Sequence, residues 1–108
     1  MLVTEADVSM ALEILGDERA GAARAAAEFF DSMTKTVLSQ VMNDANEASE
    51  AARERWARTQ PAYTEHLKKV AKFAREDYQW RARQAAADAK IRLWQTASAN
   101  ARGMERVR

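Results

Sequence analysis

The chain has 108 residues, no cysteine, a single histidine and a formal net charge of +1. That length is one domain's worth, at the lower end of the usual range. Disulfides and thiolate metal sites are excluded, and no apolar run approaches the roughly 18 residues needed to span a bilayer.

Three glycines and one proline leave turn signals scarce, so long uninterrupted elements are expected. Alanine, arginine, glutamate, glutamine and lysine, all good helix formers, dominate. No alternating run of β-branched residues suggests a strand. The opening Met1–Asp7 lacks a basic stretch followed by an apolar one. No signal peptide is therefore expected, and the chain reads as cytosolic and water-soluble.

The first predicted helix covers about residues 5–15. Thr4 and Asp7 have capping-box spacing, Val3 and Val8 that of a hydrophobic staple. Val8, Leu12 and Leu15 form its apolar stripe. Gly16 can end it in a left-handed turn. Asp17 can cap the next helix, and Glu18 suits the positive end of its dipole.

The second predicted helix runs over about residues 18–58. Its stripe is Ala22, Ala26, Phe29 or Phe30, Met33, Val37, Val41, Ala45, Ala48, Ala52 and Trp56. With no glycine or proline between Ala22 and Arg58, a continuous helix is expected. Its weak point is 43–46, where Asp44 and Glu47 could cap a new start.

Thr59-Gln60-Pro61 marks the clearest boundary, because proline disfavours helix before it and is welcome in a first turn. A short connection favours antiparallel neighbours. The third predicted helix runs over about residues 61–101, and Gly103 permits an end, with Met104–Arg108 fraying. It carries a seven-residue pattern: Phe73, Asp77, Trp80, Gln84, Ala87, Ile91, Trp94, Ser98. Tyr63, Leu67, Val70, Ala74, Tyr78, Ala82, Ala85 and Ala89 form a second stripe. One stripe can face the second helix. The other needs cover, which a second copy would supply. The expected fold is all-α: a short N-terminal helix and a long antiparallel hairpin, dimerising into a four-helix, coiled-coil-like assembly.

Little in the residue set suggests catalysis. His66 reads as a partly exposed helix residue, with no motif to activate a serine or lysine beside it. Position 63 is tyrosine, so the Glu-x-x-His pattern of helical carboxylate metal sites fails. Glu47, Glu50 and Glu54 read as a solvated face, and Gly16, Gly21 and Gly103 are too scattered for a phosphate loop. Neither enzyme activity nor a cofactor is expected.

Two surfaces remain as candidates. Phe73, Trp80, Ala87, Ile91 and Trp94 form a candidate oligomer or partner seam, since tryptophan is enriched in interface anchors. The first 58 residues carry a net −5 and the remainder +6. Acidic and basic helices lying side by side would account for that. The alternative is contact of Arg81, Arg83, Lys90, Arg92 and Arg102 with nucleic acid or an acidic partner. Arg106 and Arg108 add to this basic end.

Gln60-Pro61-Ala62-Tyr63 opens the last predicted helix, and Ile91-Arg92-Leu93-Trp94-Gln95-Thr96-Ala97-Ser98-Ala99-Asn100-Ala101-Arg102 nearly closes it. Over about residues 45–102 this resembles a family of small, uncharacterised helical proteins of tailed phages and prophages. There a Pro-x-Tyr start leads to Ile-x-x-Trp and then Ala-Asn-x-Arg. Gln95 stands where the family usually has arginine. The resemblance implies a phage setting, often among replication and recombination functions, and carries no settled activity. Together the readings suggest a helical interaction protein that dimerises and binds a host or phage protein, one that handles DNA or defends the host. A nucleic-acid-binding accessory and a structural spacer are the rivals.

Overall fold

The computed structural model describes residues 2–107, all of whose regular elements are α-helices. In chain order they are α1 (Glu5–Leu15), α2 (Glu18–Ser32), α3 (Thr34–Met42), α4 (Glu50–Ala57) and α5 (Pro61–Val107). They form two compact units: Gly21–Tyr78 is one, and Met1–Ala20 with Gln79–Arg108 the other.

The expected capping box starts α1. The Asp7 N–H donates to Thr4 Oγ1 at 3.1 Å, and the Thr4 N–H donates to Asp7 Oδ2 at 2.9 Å. Its end differs from expectation. Gly16 lies at φ −91°, not in a left-handed turn. The chain keeps its hand because Asp17 begins α2 at once: its carboxylate accepts the Arg19 N–H at 2.9 Å.

The continuous second helix is corrected to three. The first interruption is at Met33, where Ser32 Oγ donates to the Phe29 carbonyl at 2.7 Å and Thr34 Oγ1 to the Phe30 carbonyl at 3.4 Å. Such back-bonding competes with the helix ladder and bends it. The second is a true break over 43–49. The weak point was in the right region, but the cap is Ser49, whose Oγ accepts the Ala52 N–H at 3.1 Å. Neither Asp44 nor Glu47 starts the new helix. Polar side chains that satisfy their own backbone broke the helix without glycine or proline.

α5 begins at Pro61 as expected, but continues through Gly103 to Val107 instead of stopping near 101. Glycine permits an end without imposing one, and at Gly103 a Cβ would meet nothing within 4 Å. The fraying expected at Arg108 lies outside the described residues.

In the Gly21–Tyr78 unit, Phe30 stacks on Phe73 with ring centroids 4.6 Å apart, and Thr34 Oγ1 lies 3.0 Å from His66 Nε2. The later residue of one strand of contacts meets the earlier of the other, so α2–α3 runs antiparallel to this part of α5. α3 and α4 also pack together. Ala23, Val41, Ala57 and Tyr63 are buried there. In the other unit α1 lies beside α5, and Ala11 and Ala87, each 2% exposed, line the groove between them. Small residues there let helices approach closely, and among the described residues no large side chain is fully buried.

Candidate interaction surfaces

The seven-residue pattern of α5 is the packed one. Tyr63, His66, Val70, Phe73, Asp77, Trp80, Gln84, Ala87, Ile91, Trp94 and Ser98 are all buried or half-buried, in alternating steps of three and four. The candidate seam Phe73, Trp80, Ala87, Ile91 and Trp94 lies along this buried or half-buried side. Phe73 holds Phe30, and the Trp80 ring carries the guanidinium of Arg19 at 5.1 Å and that of Arg83 at 5.0 Å. The second stripe is divided. Tyr63 and Val70 join the packed side, whereas Leu67 and Tyr78 are exposed.

His66, expected to be partly exposed, is 8% exposed. Thr34 and the ring of Phe30, 6.4 Å away, surround it. The kink at Met33 brings Thr34 there. The signal was legible as His66 falling on the three–four rhythm with Tyr63 and Val70.

The five candidate cations are exposed on α5 but do not share one side. At about 100° per residue, Arg83 and Lys90 fall on one flank of the packed stripe, with Arg81, Arg92 and Arg102 toward the other. Arg92 pairs with Asp88 at 2.9 Å. Arg24–Glu28, Arg58–Glu54 and Lys68–Glu65 are likewise neighbours along the chain. Arg19 grips Asp17, with Nη2 2.7 Å from Oδ2 and Nε 3.1 Å from each carboxylate oxygen. These bonds, with the Arg19 backbone N–H, hold the Asp17 pKa at about 2. Asp7 is held below the ordinary carboxylate range by the Thr4 N–H and hydroxyl, with Lys90 adding attraction from α5.

What sequence reasoning missed lies on α1. The stripe Val8, Leu12, Leu15 is not the face laid on α5. Asp7, Ala11 and Ile14 are, and Leu12 remains 57% and Leu15 37% exposed. Val8 is half-buried beside them. On the opposite flank, Met10 is exposed at the edge of a groove of about 160 Å³ between α1 and α5.

Among the described residues no group of His, Asp and Glu could hold a metal ion. No helix there is long and apolar enough to cross a membrane. Comparison with protein-family models, curated proteins and solved structures finds no match to this chain.

Proposed function

We propose that the protein is a non-enzymatic helical interaction module that binds another protein through the apolar row Val8–Leu12–Leu15 of α1. The exposure of Leu12 and Leu15 on one side of a helix whose other side is already packed carries this reading. Leucines at i and i+3 with a valine four residues before are the anchors by which a helix seats in a partner's groove. The Gly21–Tyr78 unit has exposed apolar side chains of its own, Leu67 and Tyr78. The phage resemblance adds a setting: a phage or host protein that handles DNA, or one of host defence. Self-association into a four-helix arrangement belongs to the same reading, since the helix pairs bury few large side chains.

Arg83 and Lys90 lie apart from Arg81, Arg92 and Arg102, and Arg92 is already paired with Asp88, which favours a protein partner over a phosphate backbone. The test is capture of a partner from host lysate by the tagged chain, compared with Leu12→Glu plus Leu15→Glu. Capture that survives moderate salt and is lost in the double variant supports the reading. Equal capture by both, or oligonucleotide binding that collapses with salt and disappears in Arg81→Glu plus Arg92→Glu, overturns it.

A further inference from the structure

The groove between α1 and α5 opens on the flank of α1 away from the Leu12 row. Its floor is Ala11 and Ala87, with Ala86 and Ile14 at the sides. Met10 stands at its edge, 62% exposed. Arg83 and Lys90 line it on the α5 side. A wider hollow of about 280 Å³ adjoins it, shares Ile14 and Arg83, and adds Glu13, Asp17, Arg19 and Trp80. Asp17 is paired with Arg19, so Glu13 carries the negative charge of the α1 lip, facing the basic α5 lip of Arg83 and Lys90, with a protruding thioether beside a hollow lined by alanines.

We infer that this surface is the seat of a second copy of the chain, related by a two-fold axis. A two-fold interface must be self-complementary: what one copy presents, the other receives, and the reverse. Here the required pairs are present on one surface. Met10 of each copy enters the hollow beside Ala86 of the other. Glu13 of each faces Arg83 and Lys90 of the other. The flexible thioether fills an irregular hollow readily. An acidic peptide or a nucleic acid would meet Arg83 and Lys90 but also Glu13, so the mixed lips favour the second copy. The surface is modest, bounded by the 11 residues of α1, which places the dimer at the weak end of specific interfaces. This rests on the self-association proposed above and assigns it to the flank of α1 opposite the Leu12 row.

The experiment is sedimentation equilibrium of the full chain from low to high micromolar. A dimer is expected, and Met10→Glu or Ala86→Trp should weaken it at least about tenfold, as central anchors do. Both residues are exposed, and circular dichroism checks that each variant keeps its helices. Charge reversal is decisive. Glu13→Lys alone and Arg83→Glu with Lys90→Glu alone should each be monomeric, whereas mixing the two chains should restore a heterodimer. A wild type that stays monomeric at high micromolar overturns the inference and leaves the partner-binding test standing. A wild-type dimer indifferent to Met10→Glu and Ala86→Trp, or reversals that mixing does not rescue, overturns this surface while leaving self-association elsewhere.

Discussion

At the scale of single residues, the joint between α1 and α2 depends on Asp17. Its carboxylate accepts a backbone N–H and three guanidinium contacts from Arg19, and that guanidinium lies over Trp80. Its pKa of about 2 lies below the ordinary 3.8, so the folded chain favours the charged form. The resulting stability is fully present above about pH 4, and is lost as the pH falls toward 2. Arg19→Ala is expected to move the Asp17 pKa back toward its ordinary value, as carboxyl NMR titration would record. An unmoved pKa would mean that Arg19 is not its principal partner. Gly21 offers the opposite kind of change. It sits inside α2, and a Cβ there would meet nothing within 4 Å. Gly21→Ala should therefore stabilise the chain by about 0.5–1 kcal/mol, readable from the urea midpoint. A destabilised variant would show that the site is crowded.

At the scale of elements, two caps decide where helices begin. The Thr4 cap on α1 and the Ser49 cap on α4 each satisfy an N–H that would otherwise lack a partner. Thr4→Ala and Ser49→Ala should each cost about 1 kcal/mol, with Thr4→Ser and Ser49→Thr close to wild type. Hydrogen exchange should locate the losses separately, in the first turn of α1 and of α4. Uniformly faster exchange along the chain would argue against local caps. α5 is held differently. Phe73 packs on Phe30 midway along the Gly21–Tyr78 unit. Phe73→Ala should cost about 3 kcal/mol, the lower end for such a truncation, because the ring is only half-buried. A cost below about 1 kcal/mol would show the stack to be incidental.

At the scale of the whole molecule, the cores consist mainly of alanine with Val41 and Tyr63, and the large apolar side chains stay partly wet. Each alanine contributes little burial, so stability drawn from association should be visible. If copies associate, the thermal midpoint should rise with protein concentration, because mass action favours the folded dimer. A midpoint independent of concentration from low to high micromolar would argue against association in that range. Far-UV circular dichroism should show helix throughout the transition's native baseline. Substantial strand would contradict the fold.

The sequence by itself determined the helical class, the start of α1 at its capping box, the start of α5 at Pro61, and the rhythm on which α5 packs. Each is local: a cap, a proline or a seven-residue repeat acts within a turn or two. The region of the break near 43–46 was legible for the same reason, but not Ser49 as its cap. Several short polar side chains competed there for the same backbone groups. Only the tertiary structure decided which face each helix buries. On α1, Val8, Leu12 and Leu15 make the more apolar stripe, yet it is Ala11 that is buried at the groove shared with Ala87, since small residues allow a close approach of backbones. On α2, either Phe29 or Phe30 fitted the period, and the stack on Phe73 selects Phe30. The destination of the cations was likewise undecided. Which flank Arg83 and Arg92 occupy follows from where α1 lies on α5, and a helix does not encode its neighbour's position in its own charges.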